Sequence, residues 1–390
     1  MGKQVVILGS TGSIGRNALR VIEALNASGG EKFEVLALSA RSNVEWLAEQ
    51  ARKFRPRFIA ITNQEKEQEL RELVKGLDVE VLSGEGSLEE IAGLYEADIV
   101  LTAIVGAAGL GTVLAAAKKG KRLAIANKEP LVVAGELLME AVKESGAEIL
   151  PVDSEHSAIF QALEAGRRED VERVILTGSG GPFRGMNAEQ LKKVTKEEAL
   201  AHPTWEMGPK ITVDSATLMN KALEVIEARW LFGVDVEKIQ VLIHPESIIH
   251  SMVKFADGSV IAQMGRPDMC LPIQYALTYP ERVPGISEHL RLEEIGRLTF
   301  EKPDEEVFRA LSLGYEVAKE GGTAAAVFNA ANEAAVEAFL AGQTEFYRII
   351  ELIEYCLDKH NRRPGGSLDE LLEADAWARN EVAECLKQKT

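Results

Sequence analysis

The first 150 residues constrain the fold most, because short apolar runs alternate there with stretches of helical periodicity. Residues 4–10 (Gln-Val-Val-Ile-Leu-Gly-Ser) read as a buried strand, followed by a turn and a helix from about Ile14. Further strands are predicted near 33–40, 58–62, 97–105, 122–126 and 148–153, and helices near 43–54, 64–75, 110–120 and 130–145. Strands this apolar are buried on both faces, and strand–helix–strand repetition joins parallel neighbours by right-handed crossovers. The predicted class is α/β, with an N-terminal Rossmann-type parallel sheet. Polar and glycine residues cluster just after these strands, at Gly9–Gly15, Arg41–Asn43, Gly106, Asn127–Glu129 and Asp153–Glu155. Open α/β sheets bind ligands outside the carboxyl ends of their strands, so these clusters are expected to face one crevice.

The texture changes after about residue 172. Strands are predicted near 172–177, 210–213, 239–243, 248–255 and 259–264, with a hairpin turn at Ala256-Asp257-Gly258-Ser259. This implies a central α+β catalytic domain. Residues near 280–304 read as a connector, and from about 305 onward the periodicity is helical. The expected organisation is a nucleotide-binding domain over 1–150, a catalytic and dimerisation domain over 151–280, a linker over 281–304 and a C-terminal helical domain over 305–390.

The formal net charge of −17 argues against nucleic acid, which needs a basic surface. It does not exclude a small anion, since local lysines and helix N-termini can outweigh the global sign. The apolar stretches are too short or too broken to span a bilayer, so no membrane partner is expected. The chain enters a strand almost at once, so no leader segment is expected. Cys270, Cys356 and Cys385 lack metal-type spacing, and a reducing cytoplasm is the simplest reading.

Gly9-Ser-Thr-Gly-Ser-Ile-Gly15 follows the first strand as a G-x-x-G-x-x-G turn. Glycines there let the backbone approach a pyrophosphate at a helix N-terminus. It departs from G-x-G-x-x-G, so its position after the first strand carries the reading. The second predicted strand ends in Ser39-Ala40-Arg41-Ser42-Asn43, with an arginine and no acid. That favours NADPH over NADH; a helix cap is the structural alternative for Ser42 or Asn43, and both can hold.

Asp153 and Glu155 lie two apart at a predicted strand end and would point the same way if the segment stays extended. A first-turn helical acid is the structural alternative for Glu155. Glu224 is expected on a helix beginning near Ser215, with Ser215 as its N-cap and Asn220 one turn before Glu224. Three carboxylates suit a hard divalent cation such as Mg²⁺ or Mn²⁺. The turn Thr177–Gly181 is suited to phosphate. In His202–Pro209, Trp205 is either a core anchor or part of a lid. His244 and His250 are expected to be structural.

These motifs resemble the 1-deoxy-D-xylulose 5-phosphate reductoisomerase family over essentially the whole chain. The resemblance rests on Gly9–Gly15, Ala126-Asn-Lys-Glu129, Pro151–His156, Leu176–Phe183, His202–Gly208, Val213–Lys221 with Glu224, His244-Pro245, Pro267-Asp-Met269 and Asn329–Glu333. It implies conversion of 1-deoxy-D-xylulose 5-phosphate to 2-C-methyl-D-erythritol 4-phosphate, by rearrangement and then reduction by NADPH. It also implies a homodimer with a mobile loop over the site.

By resemblance, a divalent cation (Mg²⁺, Mn²⁺ or Co²⁺) would be held by Asp153, Glu155 and Glu224. Substrate would meet Lys128, Ser154, Glu155, Ser179, His202, Ser215, Asn220, Lys221 and Glu224, with Trp205 closing over it. The cofactor would meet Gly9, Thr11, Gly12, Ser13, Ile14, Arg41, Ser42, Asn43, Asn127, Glu129 and Gly208. Two positions depart from the family pattern. The usual glycine of the second turn is Arg41, and the usual arginine after Pro-Asp-Met is Cys270.

Overall fold

The computed structural model describes residues 2–387, apart from Glu85, Val105, Ala107 and Ala108. The chain forms two compact units. The first comprises Met1–Pro130, Leu138–Ser157 and Asp268–Glu288, and the second Leu131–Leu137, Ala158–Pro267 and His289–Thr390.

The first unit is built on a seven-stranded parallel sheet in the order β4-β3-β2-β1-β5-β6-β7. Its strands are β1 (Lys3–Leu8), β2 (Phe33–Ala40), β3 (Phe58–Ile61), β4 (Glu80–Ser83), β5 (Ile99–Thr102), β6 (Arg122–Ile125) and β7 (Glu148–Pro151). Val5, Val6, Ile7 and Leu8 are fully buried, as a central parallel strand covered on both faces requires. The helix Ser13–Ala27 buries Ala18, Leu19, Ile22 and Leu25, one apolar stripe at helical spacing.

The sheet order reverses between β1 and β5, the switch point beside which open sheets bind ligands. The predicted strand near 97–105 is Ile99–Thr102, and Val105 lies outside the described residues. Strand β4 and the helix Gly86–Ala92 are additional to the sequence expectation. Cys270 begins the helix Cys270–Thr278 in this unit. It is buried and its N–H is held by Asp268 Oδ1 at 2.9 Å, so the departure at this position fills packing space. Burial pushes its thiol up to about 12.

The second unit contains a four-stranded sheet in the order β11-β10-β8-β9. The strands are β8 (Val171–Gly178), β9 (Ile239–Ile243), β10 (Ile249–Phe255) and β11 (Val260–Met264). β8 and β9 are parallel, while β10 runs antiparallel to both β8 and β11. The expected hairpin joins β10 to β11, with Gly258 at φ +87°. The expected strand near 210–213 is not formed, because Pro209–Ala216 is a helix with Gly208 at its N-cap and Pro209 in its first turn. Proline's fixed φ suits that first turn, and the helical backbone overrides the β-branched Ile211-Thr212-Val213.

From Ala310 onward the regular structure is all helical. Ala324–Leu340 is buried along most of its length, packed by Ala310–Glu320, Arg348–Lys359 and Leu368–Lys387. No helix among the described residues is long and apolar enough to cross a membrane.

Candidate active site

The first unit presents the glycine-rich turn at the end of β1. Gly9 has φ +83°, and a Cβ on it would lie 2.5 Å from the Ala103 carbonyl oxygen beyond β5. A Cβ on Gly15 would lie 2.4 Å from the Gly9 oxygen, so these two glycines are needed for the turn itself. Gly12 differs: its φ is −74° and the one close atom is the Gly9 oxygen at 3.4 Å. Neither strain nor packing demands glycine there. It is the N-cap of Ser13–Ala27, with no side chain capping the helix, which leaves a bare cradle of N–H groups suited to an anion.

The turn is pinned to its neighbours by hydrogen bonds. Gly9 N–H donates to Ser39 Oγ at 3.0 Å and Ser10 N–H to the Ser39 carbonyl at 2.8 Å. Ser10 Oγ donates to Gln50 Oε1 at 2.6 Å, and Gln50 Nε2 donates back to the Ser10 carbonyl at 2.9 Å. The end of β2 and the helix Val44–Phe54 are thereby fixed beside the turn. Arg41, Ser42 and Asn43 are exposed there, and Asn43 Oδ1 caps the helix by accepting from Trp46 N–H at 3.1 Å.

After β6, Asn127, Lys128 and Glu129 are all buried. Asn127 is 7% exposed, and neither its amide nitrogen nor its oxygen has a hydrogen-bond partner among the described residues. A buried amide left so is costly unless a bound group satisfies it. Asn127 and the bare cradle at Gly12 both fit a dinucleotide.

Lys128 Nζ is paired with Asp153 Oδ2. Asp153 and Glu155 do not share an extended strand: β7 ends at Pro151 and a helix runs over Ser154–Leu163. Asp153 Oδ1 accepts from Glu155 N–H at 3.4 Å, in the manner of a cap, and Glu155 lies in the first turn. Unpaired N–H groups at the helix start outcompete the extended form, realising the structural alternative for Glu155. Ser154 Oγ donates to Glu155 Oε2 at 2.6 Å. His156, outside the sequence expectation, is fully buried with Nδ1 3.8 Å from Asp153 Oδ1. Its i,i+3 spacing from Asp153 was the available signal.

The second unit gathers a different set. The end of β8 turns at Gly180 (φ +86°) and Gly181 (φ +67°). His202 Nδ1 accepts from the N–H groups of Thr204 at 3.1 Å and Trp205 at 2.9 Å. That nitrogen therefore carries no proton, and the proton sits on Nε2, 3.0 Å from Ser179 Oγ. Burial holds the His202 pKa below its ordinary value, consistent with the neutral ring. Ser179 Oγ also accepts from Gly181 N–H at 3.2 Å. With both donors aimed at its oxygen, the Ser179 hydroxyl proton is directed outward.

The expected helix start at Ser215 is not observed. Ser215 lies near the end of Pro209–Ala216, and the helix carrying Glu224 begins at Met219 after Leu218, whose φ is +58°. Ser215 nevertheless meets the β8 turn, since a Cβ on Gly181 would lie 2.6 Å from its carbonyl oxygen. Glu224 is 0% exposed. It accepts from Lys221 Nζ at 2.5 Å and from Asn220 Nδ2 at 2.5 Å. Lys221 Nζ also donates to the Thr177 carbonyl at 2.7 Å, and its stem runs past Gly178. Ser179, His202, Ser215, Asn220, Lys221 and Glu224 thus line one region of this unit.

Asp214 is a further buried carboxylate that the sequence reading did not single out. It is held by Lys210 Nζ at 2.7 Å and Asn332 Nδ2 at 2.9 Å, which fixes the helix bearing Ser215. Trp205 is half-buried, with its ring centroid 6.2 Å from that of His250. His244 is structural: Nδ1 faces the Thr299 carbonyl at 2.8 Å while Nε2 accepts from the N–H groups of Ile248 and Ile249.

Three family profiles match successive parts of the chain. Residues 5–135 match 1-deoxy-D-xylulose 5-phosphate reductoisomerase, 149–232 its C-terminal domain, and 264–381 the DXP reductoisomerase C-terminal domain. The 1-deoxy-D-xylulose 5-phosphate reductoisomerase of Chloroherpeton thalassium is 51% identical over 380 residues, covering 97% of each chain. That of Trichlorobacter lovleyi is 52% identical over 377 residues, covering 97% of this chain and 96% of the relative. Among solved structures, the Zymomonas mobilis reductoisomerase in complex with NADPH superposes with a TM-score of 0.92 at 42% identity, over 99% of each chain. A DOX-P reductoisomerase in complex with NADPH, fosmidomycin and magnesium gives 0.93 at 40% identity, over 99% of this chain and 98% of that one.

Proposed function

The chain belongs to the 1-deoxy-D-xylulose 5-phosphate reductoisomerase family, and from that premise we propose how its residues perform the family's reaction. It is an NADP-dependent oxidoreductase that rearranges and reduces 1-deoxy-D-xylulose 5-phosphate to 2-C-methyl-D-erythritol 4-phosphate, a step of non-mevalonate isoprenoid synthesis. It uses NADPH and a divalent cation.

The observation that carries the assignment of roles is Glu224, a wholly buried carboxylate held between Lys221 and Asn220 beside the Ser179 turn. Asp153, Glu155 and Glu224 would hold the cation; their oxygen-only donor set suits Mg²⁺ or Mn²⁺. Bound there, it supplies a Lewis acid for the substrate's ketone and adjacent hydroxyl. Lys128 on Asp153 and Lys221 on Glu224 already compensate the carboxylates with positive charge. With the carboxylates compensated by a cation, Lys128 and Lys221 would be available to the substrate's anionic oxygens.

Ser179 donates its outward hydroxyl proton to the phosphate, and Ser215, Asn220, Lys221 and His202 complete that subsite. Neutral His202 orients Ser179 rather than carrying charge. Binding energy from the phosphate orients the reacting carbons. Lys128 offsets oxyanion charge during the rearrangement, with Ser154 holding Glu155. Gly9, Thr11–Ile14, Arg41–Asn43, Asn127, Glu129 and Gly208 would hold NADPH, which would supply the hydride that reduces the aldehyde. Trp205, closing over the substrate, excludes water.

Functionally, residues 1–150 carry the cofactor and 151–280 the chemistry and dimer contact, with 281–304 linking the helical region 305–390. A homodimer fits β11, an edge strand on which Val260 and Ile261 stay 48% and 37% exposed. A cytoplasmic location fits the three unpaired thiols.

Titration with Mn²⁺, followed by the loss of its free-ion spin-resonance signal, tests the ligand set. Tight binding by the wild-type chain, weakened about 10- to 100-fold in Glu155→Gln and Glu224→Gln, is expected. Unchanged affinity in both variants would overturn the assignment.

A further inference from the structure

We propose that Arg16 is a second cationic contact for the 2′-phosphate of NADPH, acting with Arg41, and that it sets the preference for NADPH over NADH. The inference rests on NADPH being the cofactor and deepens that reading.

The hydrogen bonds among Ser10, Ser39 and Gln50 fix the glycine-rich turn against the end of β2 and the helix Val44–Phe54. Trp46 lies one turn before Gln50 on the same face of that helix, so its indole stands beside the turn, three residues past Asn43. Arg16 is in the first turns of Ser13–Ala27, immediately after Gly15. Its guanidinium carbon sits 4.9 Å from the centre of the Trp46 ring. Ser13, Arg16, Trp46 and Gln50, with Glu23 and Glu49, line one open groove of about 510 Å³ along the two helices. Arg16 and Trp46 therefore meet across the first turns of the two helices that follow the glycine-rich turn and the Arg41–Asn43 turn.

Arg16 and Arg41 are both exposed, and neither has a carboxylate partner among the described residues. A phosphate monoester carries about −1.5 to −2 charges near neutral pH, more than one guanidinium can balance. Ser42, next to Arg41, offers a hydroxyl but no charge. Stacking on Trp46 occupies the face of the Arg16 guanidinium and leaves its N–H edge free for a phosphate. It also restricts a long side chain in advance, so less freedom is lost on binding. NADH has a hydroxyl in place of this phosphate, so it gains nothing from Arg16.

The test is binding by the full chain, followed by nicotinamide fluorescence for NADPH and NADH and by calorimetry for adenosine 2′,5′-bisphosphate and 5′-AMP. Arg16→Ala is expected to weaken NADPH and the bisphosphate about tenfold, and to leave NADH and 5′-AMP within about twofold. Arg16→Lys should recover part of the loss, and Trp46→Leu should show a smaller loss with the same selectivity for the phosphorylated ligands. Equal weakening of NADPH and NADH in Arg16→Ala would make Arg16 a support of the turn and overturn the proposal, as would no change in either. A wild-type chain that binds NADPH no better than NADH would instead refute the underlying cofactor reading, and the proposal with it.

Discussion

Gly181→Ala should damage the phosphate subsite and the fold together, by an amount the turn's geometry sets. Gly181 has φ +67°, and an L side chain in that left-handed region costs about 1–2 kcal/mol. The new Cβ would also lie 2.6 Å from the Ser215 carbonyl oxygen, and that gap must open by about 0.8 Å to reach an ordinary 3.4 Å contact. The obstacle is backbone, so no side-chain rotation relieves it. Adding about 1–2 kcal/mol for this overpacking gives a loss of about 2–4 kcal/mol in unfolding free energy.

The shift separates Ser215 from Ser179, and misplacement near 1 Å can cost up to about 100-fold at a reacting site. The KM for 1-deoxy-D-xylulose 5-phosphate should rise at least about tenfold, while NADPH affinity stays unchanged. Urea unfolding, substrate-saturation kinetics and cofactor fluorescence read the three quantities. Gly178→Ala is the comparison: its Cβ would meet Lys221 Cε at 3.0 Å and Cδ at 3.2 Å, side chain rather than backbone, without a left-handed φ, so stability should fall less while the displaced Lys221 still raises KM. A Gly181→Ala protein that keeps its stability within about 0.5 kcal/mol, with unchanged KM, would refute the reasoning.

Three further outcomes are expected. Glu224→Gln should lower turnover about 100-fold or more with the fold retained, and a near-wild-type rate would remove Glu224 from the metal set. The His202 pKa lies below its ordinary value of 6.5 because burial disfavours the charged ring. The unfolded chain therefore binds that proton more tightly, and this contribution to stability is full above 6.5 and lost as pH falls through 6.5 toward the folded value. His202→Asn should make urea unfolding less pH-dependent in that window, and an identical profile would contradict the neutral-ring assignment. A thiol reagent at mildly alkaline pH should label Cys385 alone in the native protein, since Cys270 and Cys356 are buried and pushed up to about 12; rapid labelling of all three would contradict their burial.

The central strands were legible in the sequence because their apolar runs are buried on both faces. β4 was not, since only Val81 of its four residues is buried and it lies at the sheet edge. Residues 210–213 misled through β-branched content, although Gly208-Pro209 carried a helix-start signal that should have outweighed it. The break at Leu218 had no such signal, because leucine rarely adopts φ +58°; it persists where packing of the two flanking helices over-determines it. Ser179, His202, Ser215, Asn220, Lys221 and Glu224, expected together from residue type, spacing and resemblance, lie in one region of the second unit. Their roles were not legible: the outward hydroxyl of Ser179 depends on which His202 nitrogen bears the proton, and that is fixed by the backbone N–H groups of Thr204 and Trp205.

The most direct test of the account is NADPH consumption with 1-deoxy-D-xylulose 5-phosphate, followed by loss of nicotinamide absorbance with and without added Mg²⁺ or Mn²⁺. Metal-dependent oxidation that yields 2-C-methyl-D-erythritol 4-phosphate and stops when the metal is chelated is expected. Intact NADPH binding without turnover on this substrate, with metal present, would contradict it and point to a different phosphorylated sugar on the same scaffold.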